Sequence, residues 1–194
     1  MGASAIVDVI DRGDQFLYRQ VYDGVSGYGS TIIGIPPMSN GVGFMVSRVI
    51  DAVGADRLGT LGVLRIWGHG RTDEPRVYVS YGPPSLVTYP PISSEDNWAA
   101  ISPANLPQLR GTLMQLTSYF AKSARVELRA CVIAKFASGK TMLQDLAKLW
   151  NVRVQAPEKP QSSELWTPPV WEASPAGTIR QLGNNEVIEV AARR

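Results

Sequence analysis

The sequence predicts an α/β protein, a three-layer sandwich with a mostly parallel central sheet and peripheral β-hairpins. Three observations carry this. Short apolar runs of strand length recur at 31–35, 61–67, 125–130 and 152–155. Between them lie segments with apolar residues at helical spacing, and the alternation of the two is what a right-handed parallel sheet covered by helices requires. The run Leu61 to Trp67 is apolar enough on both faces to occupy a central, doubly covered position.

In order along the chain, residues 5–10 and 15–22 are apolar or aromatic runs split by Asp11-Arg12-Gly13-Asp14. Such dense turn chemistry predicts a peripheral N-terminal hairpin over 5–22. A glycine-bearing connection from Gly24 to Ser30 leads to the strand Thr31 to Ile35, ended by Pro36-Pro37. Ser39 or Asn40 can cap a helix whose face is Val42, Met45, Val46, Val49, Ile50 and Val53, with Gly54 as the stop. Residues 77–81 and 86–89 flank Gly82-Pro83-Pro84 and predict a second hairpin, followed by a loop over 90–101.

Ser102-Pro103 has the pattern of an N-cap followed by proline, with Leu106, Leu109, Leu113, Leu116 and Phe120 as the helix face. After the strand 125–130, Ser138 can cap a helix carrying Met142, Leu146, Leu149 and Trp150 inward, with Asn151 at its end. Residues 156–175 hold five prolines and two tryptophans, which reads as an ordered wrap because tryptophans seek burial. A last hairpin is expected from 178–182 and 187–191 around Gly183-Asn184-Asn185. The whole, 1–194, reads as one domain with its core at 31–156 and the C-terminal wrap and hairpin at 157–194.

Bulk composition narrows the function. With 194 residues, 44% hydrophobic and 19% charged, the chain has the makeup of an ordinary globular domain. The formal net charge of +2 is spread out, so nothing calls for nucleic acid, and Arg193-Arg194 reads as a solvated tail. A single cysteine excludes an intramolecular disulfide, and one cysteine with one histidine falls short of a zinc ligand set. No metal and no cofactor is expected. No apolar run is long enough to span a membrane, and Asp8, Asp11 and Asp14 interrupt the N-terminal stretch where a signal peptide would be apolar. The expectation is a cytoplasmic protein or a bacterial effector secreted without a cleaved signal.

The chemistry-bearing residues are His69, the sole histidine, and Cys131, the sole cysteine. Trp67-Gly68-His69-Gly70 ends one buried strand and Arg129-Ala130-Cys131 ends another. Ligands and chemistry gather outside the carboxyl ends of strands in open α/β sheets. A thiol beside an imidazole is an activated nucleophile, so the pair reads as a dyad. Asp73 and Glu74, just past the His-Gly turn, can orient His69 or shape a pocket, or stand in a solvated loop. A competing motif, Ala134 to Thr141, fits a relaxed phosphate-binding loop with Lys140 and Thr141 as its binding residues. No apolar strand ending in aspartate follows it to hold magnesium. Neither Gly-x-Ser-x-Gly nor Gly-x-Gly-x-x-Gly occurs.

Strand-His-Gly, hairpin, helix, strand-Ala-Cys and helix together resemble the caspase-like cysteine peptidases. That superfamily includes caspases, metacaspases, legumain, gingipains, separase and the bacterial CHAT-type peptidases. Val126-Glu127-Leu128-Arg129-Ala130-Cys131 with Ser138-Gly139-Lys140 and the helix after it is most similar to compact bacterial members of uncharacterised function, over residues 31–156. The resemblance implies a caspase-like fold and a cysteine endopeptidase acting on a protein or peptide, with an activating or inhibitory protein as a further partner. It implies Cys131 as nucleophile, His69 as general base and acid, and the N–H groups of Gly70 and Cys131 as the oxyanion hole.

It also implies that Arg129 lines the pocket for the residue before the scissile bond. An arginine there favours acidic residues; the competing reading is an ion pair with Glu127, Asp73 or Glu74. Two departures stand out: only one clear strand and helix precede the histidine strand, and Val132-Ile133 follow the cysteine where small or polar residues are usual. The alternative in another class is an inactive domain of this fold that binds a protein through Tyr78, Tyr81, Tyr89, Trp166 and Trp171.

Overall fold

A computed structural model describes residues 4–26, 29–80, 98–161, 166 and 168–186. Its centre is a seven-stranded sheet in the order β2-β1-β3-β6-β7-β8-β9. These strands are β1 (Ala5–Asp11), β2 (Thr31–Ile35), β3 (Leu61–Trp67), β6 (Phe120–Arg129), β7 (Arg153–Pro157), β8 (Val170–Ala173) and β9 (Ile179–Gln181). The first five run parallel, and β8 and β9 turn back antiparallel. A separate antiparallel pair joins β4 (Val77–Tyr78) to β5 (Ala100–Ile101). Among the described residues four α-helices flank the sheet: α1 (Gln15–Val25), α2 (Gly41–Val53), α3 (Leu106–Met114) and α4 (Ala137–Trp150). The α/β class follows, with β3 central as its doubly apolar run requires.

Successive residues of a strand point to opposite faces, and the two faces differ sharply here. Val7, Val9, Leu64, Ile66, Val126, Leu128, Val154 and Ala156 form one face, packed with the buried residues of α2, α3 and α4 in the main core. On the other, Ile10 and Trp67 pack with Val21 and Val25 of α1. That second face also carries a row of polar side chains straight across six strands. Asp8 is level with Arg65, Arg65 with Glu127, Glu127 with Gln155, Gln155 with Glu172, and Glu172 with Arg180. Arg65 pairs with Asp8 at 3.3 Å, Gln155 donates to Glu172 at 2.7 Å, and Arg180 reaches Glu172 at 3.0 Å. A one-residue slip of any of these strands would carry its polar side chain onto the apolar face, so the row helps to specify register.

The local chemistry of α2 is as expected: Asn40 caps it through Gly43 N–H, and Gly54 ends it at a φ of 97°. Asn151 ends α4 in the left-handed region. Elsewhere the structure corrects the expectations. Residues 5–22 are not a hairpin. β1 is an inner strand, and Asp14 is the N-cap of α1, accepting from the N–H groups of Phe16 and Leu17. Aspartate serves turns and N-caps by the same side-chain bond, so this sequence fits either. Two strands and two helices therefore precede β3, and the core extends beyond 31–156 in both directions.

Residues 77–78 pair with 100–101, inside the stretch expected to be a loop; 86–89, the other arm of the expected hairpin, lies with Tyr81 and Tyr89 outside the described residues. Helix α3 starts at Leu106 and not at Ser102, because the Asn105 side chain bonds Ser102 and the Ala100 carbonyl in a turn ahead of it. It ends at Met114; a 3₁₀ turn over Thr117–Tyr119 leads to Phe120, the first residue of β6. Ser138 caps nothing, since α4 begins one residue earlier. In the C-terminal region the hairpin joins 170–173 to 179–181; residues 184–186 are helical, and 187–191 fall outside the described residues.

Candidate functional site

Trp67 and Arg129 are the last paired residues of β3 and β6, at the carboxyl edge of the sheet's middle. Beyond them the two chains stay together. Gly68 N–H donates to the Arg129 carbonyl at 3.4 Å. Gly70 lies directly on the backbone of Cys131, so that a Cβ at 70 would collide with the Cys131 carbonyl oxygen and amide nitrogen. Only glycine permits this approach. The turn is fixed from its other side, where Tyr78 N–H donates to the His69 carbonyl at 2.9 Å and Gly68 abuts the Tyr78 carbonyl. The structure thus brings Gly70 and Cys131 together, with His69 one residue away.

The His69 side chain is half exposed, and its Nε2 stands 2.7 Å from Asp14 Oδ2. The same carboxylate accepts Phe16 N–H at 2.8 Å and Leu17 N–H at 3.1 Å through Oδ1. Partial burial pushes the Asp14 carboxyl up, and the bonds from His69, Leu17 and Phe16 outweigh it, leaving it below the usual aspartate range. An ionised carboxylate only accepts, so Nε2 is the donor, and a neutral His69 keeps its lone pair on Nδ1. Asp14 is the site residue that sequence reasoning missed. Its only local signal is the N-cap pattern, and its partner lies 55 positions away. Because asparagine caps as well as aspartate, Asp14→Asn should change stability by only a few tenths of a kcal/mol, against about 1 kcal/mol lost in Asp14→Ala, as urea melts would resolve.

Cys131 is half buried. Its sulfur receives Gln161 N–H at 3.4 Å and lies 3.9 Å from the Gln161 carbonyl oxygen. The next residue, Val132, is buried and holds a φ of 52°, in the left-handed region. A β-branched residue there is a genuine outlier, of the kind that clusters where backbone must aim a functional side chain. Val132 N–H reaches the Lys159 carbonyl at 3.4 Å, so residues 159–161 run alongside Cys131.

The three residues weighed as pocket residues, Arg129, Asp73 and Glu74, are each held in ion pairs. Arg129 points its Nε at Glu127 Oε2, 2.9 Å away, and its guanidinium lies over two indoles, 3.7 Å from the Trp166 centroid and 4.9 Å from that of Trp67. Its side chain is 9% exposed. The ion pair with Glu127 is the reading the structure supports. Glu127 is fully buried, and Arg125 and Arg65 also reach it, at 2.7 and 3.5 Å. Burial pushes its carboxyl up, but the fields of Arg129, Arg125 and Arg65 together hold it below the usual range. Asp73 is bound by Arg71 at 2.7 Å, and that hydrogen bond lowers it to about 2. Glu74 pairs with Arg76 at 2.8 Å and Arg71 at 3.4 Å. Asp14, not Asp73 or Glu74, is the carboxylate on His69.

Around the competing motif, the Lys140 ammonium sits 3.4 Å from the Trp171 centroid, and the Thr141 hydroxyl donates to the Ala137 carbonyl at 3.2 Å. Both groups are engaged within the protein. Of the aromatics expected to be exposed, Tyr78 and Trp166 are buried and Trp171 is half buried. Compared with protein-family models and with curated proteins, the chain matches none.

Proposed function

We propose that this chain is a thiol-dependent hydrolase with Cys131 as nucleophile and His69 as its base. Within that class we read it as a cysteine endopeptidase of the caspase-like kind. The observation that carries the reading is the Gly70–Cys131 backbone contact, which sets the sole histidine and sole cysteine at neighbouring strand ends. The Cys131 proton passes to His69 Nδ1, and the thiolate attacks the substrate carbonyl. The developing oxyanion lies against the N–H groups of Gly70 and Cys131. His69 then gives its proton to the leaving amine, and in the second half activates the water that frees Cys131. Asp14 keeps Nε2 protonated and the ring aimed throughout. Arg129 is engaged elsewhere, so a preference for acidic residues has no carrier in that side chain.

The test is iodoacetamide alkylation of Cys131 against pH, in wild type and His69→Ala. The expected result is fast alkylation well below the free-thiol pKa of about 8.5, slowed when His69 is removed. A folded protein whose thiol ignores His69, or reacts only on unfolding, would leave a binding domain of the same fold instead.

A further inference from the structure

Directly beneath the strand ends, five side chains on three adjacent strands form a closed circuit. Trp67 Nε1 donates to Asp8 Oδ1 at 2.7 Å, and Arg65 Nη1 pairs with Asp8 Oδ2 at 3.3 Å. Arg65 Nε reaches Glu127 Oε2 at 3.5 Å, and that oxygen also takes Arg129 Nε at 2.9 Å. The circuit closes where the Arg129 guanidinium lies over the Trp67 ring. The same guanidinium also lies over the Trp166 ring, 3.7 Å from its centroid. Two of the five members stand two residues before the reacting positions: Trp67 before His69, and Arg129 before Cys131.

We infer that Arg129 is a positioning residue that fixes the two strand ends, and so His69 and Cys131, in one relative geometry; this rests on the thiol–imidazole reading above. The case is steric and electrostatic together. β3 and β6 share ordinary ladder hydrogen bonds, which allow small relative shear. A planar cation held through its N–H groups by a carboxylate of its own strand, and lying over an indole of the neighbouring one, resists that shear at two points. Asp8 then fixes the indole, and Arg65 ties Asp8 back to Glu127. Every link is buried or nearly so: Asp8 and Glu127 are 0% exposed, Arg65 7% and Trp67 8%. Water therefore screens the charges little. Lysine would keep the charge but lose both the fork and the flat face.

The pH profile of Cys131 alkylation by iodoacetamide tests this in wild type, His69→Ala, Arg129→Lys and the Arg129→Lys/His69→Ala double variant, with thermal melts alongside. Displacing a reacting group by about 1 Å costs on the order of a hundredfold. Folded Arg129→Lys should accordingly lose at least about tenfold in rate near pH 6, and its profile should collapse onto that of His69→Ala. The double variant should react no more slowly than His69→Ala alone, since both changes break one coupling. An Arg129→Lys profile that overlays wild type, with only the melt shifted, would make the circuit purely structural and overturn the inference. If Arg129→Lys does not fold, Trp67→Phe replaces it, keeping a ring face for Arg129 while cutting the link to Asp8. It should slow alkylation in the same direction, and an unchanged profile there overturns the inference equally. A wild-type profile indifferent to His69→Ala would instead sink the thiol–imidazole reading itself, and this inference with it, before any Arg129 variant is compared.

Discussion

Glu127→Ala is expected to lower the unfolding free energy by about 3–5 kcal/mol, the range for breaking a buried ion pair from one side. The magnitude comes from what is left behind. Arg65 keeps Asp8, but Arg125 and Arg129 lose the only carboxylate within salt-bridge reach among the described residues. Arg129 would then be a buried cation against two indoles with no carboxylate paired to it directly. Glu127→Gln, which keeps the volume and one acceptor oxygen, should cost less.

The pH dependence has a definite sign. The folded Glu127 carboxyl is held below its ordinary value near 4.5, because three guanidiniums outweigh the effect of burial. Its contribution is therefore present above that value and lost as pH falls through the folded pKa, where the unfolded chain binds the extra proton first. Denaturant melts at pH 7 and pH 3 should show the wild-type advantage over Glu127→Gln shrinking with acid. An advantage that stays constant would mean the carboxylate contributes shape and not charge.

The parts of this fold that were legible in the sequence are those where a local signal has one meaning. α2 has a capping asparagine, an unbroken apolar face and a glycine stop, and β3 has a mostly apolar run too short for a helix, broken only by Arg65. The strand-end placement of His69 and Cys131 followed from those runs. What was lost had two meanings or none. Asp11-Arg12-Gly13-Asp14 serves as well for a helix entry as for a hairpin turn, so α1 was hidden and Asp14 with it. The apolar spacing from Leu106 to Phe120 runs on past the end of α3, because the 3₁₀ turn keeps Leu116 and Phe120 facing the same core. That Arg129 shares a face with Glu127 is implied by their separation of two. The contact of Trp166 with Arg129 is not implied by anything, since no periodic element carries that residue to the site.

Gly70→Ala is the second change expected to act strongly, and it bears on how the site is assembled. The added methyl meets backbone atoms of Cys131, which cannot rotate aside as a flexible side chain can. Either the His-Gly turn or the end of β6 must shift. Overpacking of this kind costs about 1–3 kcal/mol, and the resulting displacement should lower His69-dependent alkylation of Cys131 by on the order of a hundredfold. Gly111 in α3 is the control: it is exposed, nothing lies within 4 Å of a Cβ built there, and alanine is the better helix former. Gly111→Ala should therefore be neutral or stabilising by up to about 1 kcal/mol, with an unaltered alkylation profile. If Gly70→Ala kept the wild-type profile while losing stability, the close approach of the two backbones would be a packing feature alone. The alignment of His69 with Cys131 would then have to come from the side chains beneath them and from Asp14.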